Sequence, residues 1–455
     1  MTMASAISRA VLSALVTLAL AQAAEFRAGD YGTRGDGQTV DTAAIQKAID
    51  AAARHGGTVV FRPGVYLSGS LFLKSRVHLR VDEGVVIRGV QDLAAYPVLW
   101  TRVAGIEMNW PSALINVREQ SGVRISGKGT IDGDGRIWWN SYWRLRKEYD
   151  PKGLRWAADY DCMRPRLIQI YKSSDVRLEG LRLERSGLWT VHICFSRKVT
   201  VDGVTIRNNI GGRGPSTDGI DIDSSTNVLV EHCDIECNDD ALCLKAGRDA
   251  DGLRVNLPTR HVVIRDSTVR DAAAGVTFGS ETSGGIRDVE VYRLKVLRPT
   301  PAGILFKSAR TRGGTVQNIV IHDLDMEGVA TAIRVNLNWN PSYSYATLPE
   351  GVKNIPAYWK VLTERVPPER GLPHLQDVRI YNIKAAGAER AILALGYPEA
   401  PLRNFRFRNL TIEAKTAGSI EDADDWVFTG TRITTADGSR VTLKNCRNVT
   451  GLGSE

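Results

Sequence analysis

The sequence predicts an all-β chain wound as a single-stranded, right-handed parallel β-helix, a solenoid with a short N-terminal capping helix. Three observations lead there. Apolar residues alternate with polar ones through most of the chain beyond Gly57, the period of a strand with one buried face. The alternating motif keeps returning, as Val176-Arg177-Leu178, Val199-Thr200-Val201 and Val228-Leu229-Val230, then from Val262, Val289, Ile319, Val378, Phe405 and Val441. Successive starts differ by 23, 29, 34, 27, 30, 59, 27 and 36 residues, the 59-residue interval reading as two turns with one masked. Finally, the units show no 3.6-residue spacing, which excludes helical repeats. Units this short bury their apolar side only by stacking, which defines a solenoid.

The elements follow from the N-terminus. Residues 1–23 carry a positive charge at Arg9, an apolar run from Ala10 to Leu20 and a small-residue site at Ala21-Gln22-Ala23. This is the layout of a signal peptide, so residues 24–455 are expected to form one exported catalytic β-helix domain, secreted or periplasmic. No later run approaches the ~18 apolar residues of a membrane-spanning helix, and no membrane partner is expected. The formal charge is +8, with 59 basic against 51 acidic side chains; it suits an acidic polymer and equally suits plain solubility. Tyr31 to Gly37 is a glycine-rich turn, but its glycines lack the spacing of a nucleotide-binding loop.

Asp41 and Thr42 are candidate N-caps of a helix with Ile45, Ala48, Ile49 and Ala52 on its apolar face, ending at His55-Gly56-Gly57. A helix there closes the open end of the solenoid and covers exposed strand edges. Three interruptions, Ala94 to Asn116, Asp132 to Arg166 and Asn336 to Pro373, are expected as loops walling a groove. They hold Trp110, Trp138, Trp139, Tyr142, Trp143, Trp156, Trp339, Tyr343, Tyr345, Tyr358 and Trp359. These rings are either platforms for sugar faces or anchors of the loops themselves. Arg144, Arg146 and Lys147 are either polyanion contacts or solvated surface.

The six cysteines, Cys162, Cys194, Cys233, Cys237, Cys243 and Cys446, form no paired CxxC sets, so zinc is not expected. Cys233 and Cys243 alternate with strand residues as small apolar side chains do. One structural disulfide remains open in an exported chain.

The most informative stretch is Ser216-Thr217-Asp218-Gly219-Ile220-Asp221-Ile222-Asp223, followed one period later by Asn238-Asp239-Asp240-Ala241-Leu242-Cys243-Leu244-Lys245. Matching Ile222 with Leu244 sets Asp218 beside Asp240 and Asp239 beside Thr217, so three carboxylates meet at one sheet edge. The same register aligns Phe278 and Phe306 with Leu244, and Lys245, Gly279 and Lys307 with one another. Carboxylates this close raise at least one pKa, which keeps an acid protonated while others stay ionised. That is what general acid–base cleavage of a glycosidic bond requires. A calcium site and turns at the coil corners are the competing accounts.

These segments resemble glycoside hydrolase family 28, the polygalacturonases. The family's Asn-Thr-Asp-Gly motif appears as Ser216-Thr217-Asp218-Gly219, its Asp pair as Asp239-Asp240, and its Gly-His-Gly falls on Ala273-Ala274-Gly275, with Gly279-Ser280-Glu281 after it. The family's Arg-Ile-Lys falls on Leu305-Phe306-Lys307, trailed by Arg310-Thr311-Arg312-Gly313-Gly314. The resemblance implies an inverting hydrolase without a cofactor or metal, with Asp239 as general acid, Asp218 and Asp240 activating water, and Ser216, Gly275, Glu281 and Lys307 at the substrate. Inversion rests on the resemblance alone, since adjacent coils hold Asp218 and Asp240 closer than the ~6.5–9.5 Å of inverting pairs.

Two departures stand out. Ala274 replaces the family histidine, and Leu305 replaces an arginine expected to contact the uronate carboxylate. Leucine cannot pair with a carboxylate, so Asn336, Asn338 and Tyr343 are candidate replacement contacts. The expected substrate is an acidic plant cell-wall polysaccharide, pectic and including rhamnogalacturonan or a substituted pectin. No nucleic-acid partner is expected, and the chain is expected to be a monomer. A calcium-dependent pectate-type lyase and a non-catalytic carbohydrate-binding β-helix are the alternatives.

Overall fold

In the computed structural model, which describes residues 24–452, the alternating segments assemble into one 32-stranded sheet whose strand pairings are all parallel. The signal-peptide expectation lies outside the described residues. Val176, Val199, Val228, Val262, Val289, Ile319, Val378 and Phe405 form a single column, each beside the next, and all are buried. Stacking identical rungs about 4.8 Å apart gives every apolar side chain a partner above and below. Aromatic pairs continue the stack, with Phe278 4.5 Å from Phe306 and Phe405 4.3 Å from Trp426 between ring centroids.

Two readings of the period are corrected. Ile319 pairs directly with Val378, so the 59-residue interval is one coil carrying a long excursion, with no masked repeat. At the other end the column runs from Phe405 to Trp426 and then Val449, leaving Val441 out of register. A corner residue explains the true register. The residue before each column member sits in the left-handed region, including Asp175, Asn227, Asp288, Asn318, Asp377, Asn404, Asp425 and Asn448. Asn and Asp tolerate that conformation best among non-glycine residues.

The capping helix spans Thr42–Ala53, with Ile45, Ala48, Ile49 and Ala52 fully buried. Asp41 is its N-cap residue, but its carboxylate accepts from the backbone N–H groups of Arg34 (2.8 Å) and Gly35 (2.9 Å) instead of capping. Thr42 Oγ1 accepts from Gly69 N–H, tying the helix to the first coils.

The three interruptions are not plain loops. The first forms an antiparallel hairpin, Val98–Val103 with Ile106–Pro111. The second holds the helices Arg136–Tyr149 and Ala158–Asp161, the third Pro341–Ser344, Ala357–Leu362 and Pro368–Gly371. Together they bury a second apolar core that includes Met108, Trp110, Trp156, Tyr160, Trp189 and Trp359. Trp156 and Trp359 meet edge to face at 4.9 Å, while Tyr358 and Trp359 both donate to Asp161 Oδ1. Most of the loop aromatics are therefore anchors. Arg146 is engaged by Asp150. All six cysteines are free thiols, five of them buried.

Candidate active site

The strands Ile220–Asp223, Asp240–Lys245, Ala274–Phe278, Ala302–Lys307 and Thr331–Asn336 lie side by side in that order. Alternation turns Ile222, Leu244, Phe278 and Phe306 into the core, and leaves Asp221, Cys243 and Lys245 on the outer face. At the strand starts, Gly219 N–H donates to the Asp240 carbonyl at 2.9 Å, which seats Asp218 beside Asp240. One carboxylate oxygen of each lies within 4.8 Å of the other. Asp239 comes one residue earlier, half-buried where Asp240 is fully buried. Its Oδ1 accepts from Asp240 N–H at 3.0 Å.

The three carboxylates line a cavity of about 140 Å³. Lys307 Nζ reaches Asp240 Oδ2 at 2.7 Å. Lys245 Nζ sits among Asp218 (3.5 Å), Asp221 (3.5 Å) and Glu281 (3.2 Å). Glu281 Oε1 accepts from Ser280 Oγ and Tyr343 Oη, each 3.1 Å away. Ser216 Oγ donates to Asp159 Oδ1 at 2.8 Å, and Arg155 holds Asp159 from the other side at 2.7 Å.

The walls come from the second core. The hairpin turns at Ala104-Gly105, where Gly105 has φ +89° and a Cβ would lie 2.4 Å from Arg248 Cβ and 2.7 Å from Glu281 Cγ. Only glycine allows that approach, which sets Val103 and Ala104 on the cavity.

Burial and crowding set the proton affinities. Burial, with the adjacent Asp240, raises the Asp239 pKa against the pull of Lys307 and Lys245. Burial and then Asp221 and Asp239 push Asp218 well above the ordinary carboxylate range. Asp221 is raised to about 8, by burial first, with Lys245 opposing and Asp240 and Glu281 adding to it. For Glu281 burial also acts upward, but Lys245, Arg312 and Lys307 overcome it and hold the group below its usual value. Raised and depressed carboxyls thus stand side by side, the pattern that separates acid from base.

The donor set does not fit a calcium ion, which takes six to eight oxygens. Asp218 and Asp240 share their corner with the Cys243 thiol, and the ammonium groups of Lys245 and Lys307 stand against their oxygens.

The sequence pattern described as glycosyl hydrolases family 28 matches residues 63–356, more than half of the chain. The chain belongs to glycoside hydrolase family 28. A second pattern, described as rhamnogalacturonase A/epimerase, pectate lyase-like, matches residues 26–82. Among relatives, a probable polygalacturonase of Vitis vinifera is 29% identical over 394 residues, covering 84% of this chain and 73% of the relative. An exo-poly-alpha-D-galacturonosidase of Dickeya chrysanthemi is 24% identical, covering 90% and 74%. The crystal structure of a hyperthermoactive exopolygalacturonase from Thermotoga maritima superposes with a TM-score of 0.72 at 27% identity, covering 93% of this chain and 92% of that one. The chain is thus a polygalacturonase-like glycoside hydrolase on a parallel β-helix.

On this family 28 scaffold the predicted site residues separate into two groups. Asp218, Asp239, Asp240, Ser216, Glu281, Lys307 and Tyr343 converge on the cavity. Gly275, Asn336 and Asn338 do not line it. Gly275 faces the core, where a Cβ would meet the Gly303 carbonyl at 2.6 Å and Val296 at 2.7 Å, so it is kept for packing. Asn336 Oδ1 accepts from Asn338 N–H, and Asn338 Oδ1 accepts from Tyr345 Oη; both side chains are spent folding their own loop, and Asn340 reaches the cavity instead. Sequence reasoning also missed Asp221, Lys245, Arg155, Asp159 and Trp189. For Asp221 and Lys245 a signal was present, since both occupy outward positions of strands already aligned; Arg155 and Asp159 come from an excursion whose path no repeat encodes.

Proposed function

We propose that this protein hydrolyses a glycosidic bond in a pectic, galacturonate-containing polysaccharide by general acid–base catalysis with inversion. The observation that carries the reading is the half-buried Asp239, its pKa raised, next to the buried pair Asp218 and Asp240 on the floor of one cavity. Asp239 donates its proton to the leaving glycosidic oxygen. Asp240, with the Lys307 ammonium against it, takes a proton from the attacking water, and Asp218 orients that water from the neighbouring coil. The water oxygen bonds to the anomeric carbon as the glycosidic C–O bond breaks, so one new reducing end and one free hydroxyl form per event. Family membership supports inversion.

The pectic substrate is supported by relatives named as polygalacturonases, and the rhamnogalacturonase-type pattern over residues 26–82 extends the candidates to rhamnogalacturonan. The leader-like residues 1–23 support export to the periplasm or medium, where such polymers are met, and action as a monomer completes the reading.

Incubation with homogalacturonan and with rhamnogalacturonan tests it. Reducing ends should appear with inverted anomeric configuration at first release, and Asp239→Asn should abolish them. An unsaturated, ultraviolet-absorbing product lost on chelation would instead establish a lyase. Binding without any product, unchanged by Asp239→Asn, would establish a carbohydrate-binding β-helix.

A further inference from the structure

The cations that line the cavity already face acids. Lys245 has Asp218, Asp221 and Glu281 around it, Lys307 has Asp240, and Arg155 has Asp159. A uronate entering there meets ammonium and guanidinium groups that acids already hold. On the coils beyond Asp240 the outer face turns apolar. Ala274, Ala302 and Leu305 are buried in a small cluster of their own, and Trp339 packs over them. Because Trp339 also lines the cavity, a sugar beside the scissile bond finds a ring on this side and, among the described residues lining it, only cations already paired with acids.

The charge reappears one coil further. Arg334 pairs with Leu305 across the sheet, between the core residues Ile333 and Val335, so it projects from the same outer face as Leu305. Its guanidinium lies 5.1 Å from the Trp339 ring centroid, on a ring that Lys307 approaches to 4.8 Å. Arg334 Nε is buried without a hydrogen-bond partner among the described residues. A like charge acts on it: Arg390, which pairs with Thr331 on the following coil, repels it and adds to the effect of burial in lowering its proton affinity. The acid beside Arg390, Glu389, is engaged by Lys415 at 2.8 Å. A cation repelled by a like charge and left with an unsatisfied buried N–H is an arrangement an anion relieves.

We infer that Arg334, with Arg390 adding positive charge from the following coil and Trp339 as its platform, is a carboxylate-binding subsite for a uronate lying one coil beyond the sugar next to the scissile bond. The protein then reads substrate charge at a distance from the chemistry, and the sugar between Asp239 and Trp339 is held by stacking. This rests on the hydrolase reading, which places the bond at Asp239.

Binding can be measured apart from turnover by titrating trigalacturonate and tetragalacturonate into Asp239→Asn protein by calorimetry, with their fully methyl-esterified forms as uncharged controls. Arg334→Gln in that background should weaken the acidic oligomers at least ~10-fold, the scale of a lost charge-assisted hydrogen bond, and leave the esters unchanged. Arg334→Lys should retain part of the affinity, and Arg390→Gln should lower it in the same direction. Equal affinity for acids and esters, no loss in Arg334→Gln, or no binding of either oligomer would overturn the subsite. If Arg334 governs binding while the unsubstituted protein releases no product from any pectic polymer, the hydrolase reading fails and the subsite stands; if product forms and Arg334→Gln binds as before, the subsite alone fails.

Discussion

Lys307 Nζ lies 2.7 Å from Oδ2 of Asp240, although 67 positions separate the two residues in the chain. The stacking of the strands Asp240–Lys245, Ala274–Phe278 and Ala302–Lys307 makes the contact possible, because it sets Lys307 two coils from Asp240 on the same face. The ammonium therefore bears on Asp240 and, through the cavity, on Asp239, whose proton affinity it lowers.

Lys307→Met should reduce kcat by about 10²-fold, the cost of removing one preorganised charge from a catalytic site. It should also shift the pH profile. The general acid works while protonated, so activity falls as pH rises through the Asp239 pKa; removing the cation that holds this pKa down moves the alkaline limb upward. A kcat–pH profile of the variant that keeps the alkaline limb of the parent would contradict the contact's role.

Asp221 gives a stability prediction with the opposite purpose. Its pKa is raised to about 8 in the folded protein, against ~3.9 in an unfolded chain, so the folded state holds the extra proton between those values. Stability from this group is complete below about 4 and is lost as pH climbs towards 8. Asp221→Asn cannot ionise, so its melting temperature relative to the parent should rise across that window. A shift of about 1 °C is expected for each ~1 kcal/mol gained in a chain of this length. Thermal melts at pH 4, 6 and 8 measure it, and a constant difference would show that Asp221 does not titrate in that range.

Much of this architecture was legible because each coil repeats one physical requirement. Val176, Val199 and Val228 announce the buried column, and Asp218 and Asp239-Asp240 fall together once Ile222 is set beside Leu244. Where the repeat changes its signature, legibility ends. Trp426 and Val449 carry the last coils, and the alternation alone pointed to Val441; the left-handed Asp425 and Asn448 just before them were the better marker, since a corner conformation constrains residue type more tightly than a β position does. The excursions were harder still. Asn336 and Asn338 looked like sugar contacts, yet short polar side chains in a loop satisfy their own backbone first. Trp339 is placed by packing on Leu305, a tertiary contact that no repeat along the chain encodes.

The free thiols make a simple test of a question the sequence left open. Cys162, Cys194, Cys233, Cys237, Cys243 and Cys446 are all unpaired, and burial raises the pKa of Cys194, Cys233, Cys237 and Cys243. Buried neutral thiols react slowly. Thiol titration should find six groups in denaturant and at most Cys446 readily in the native protein, and a reductant should leave the melting temperature unchanged. A thiol count below six in denaturant would indicate a disulfide.

The final prediction concerns what Leu305 excludes. It is 2% exposed beneath Trp339, with Arg334 as its neighbour in the sheet and Lys307 two residues on. Leu305→Arg would restore the residue that family resemblance leads one to expect, but it would insert a third cation under an aromatic ring and into an apolar cluster. Unpaired buried charge of that kind costs several kcal/mol, so the variant should melt well below the parent. The exchange Leu305→Arg with Arg334→Leu moves the charge by one coil without adding one. It should recover part of the lost stability, because the charge added at position 305 then no longer faces a second arginine on the neighbouring strand. Melting curves of the parent, both single variants and the exchange form a double-mutant cycle, and an additive result would show that the two positions do not sense each other across the sheet.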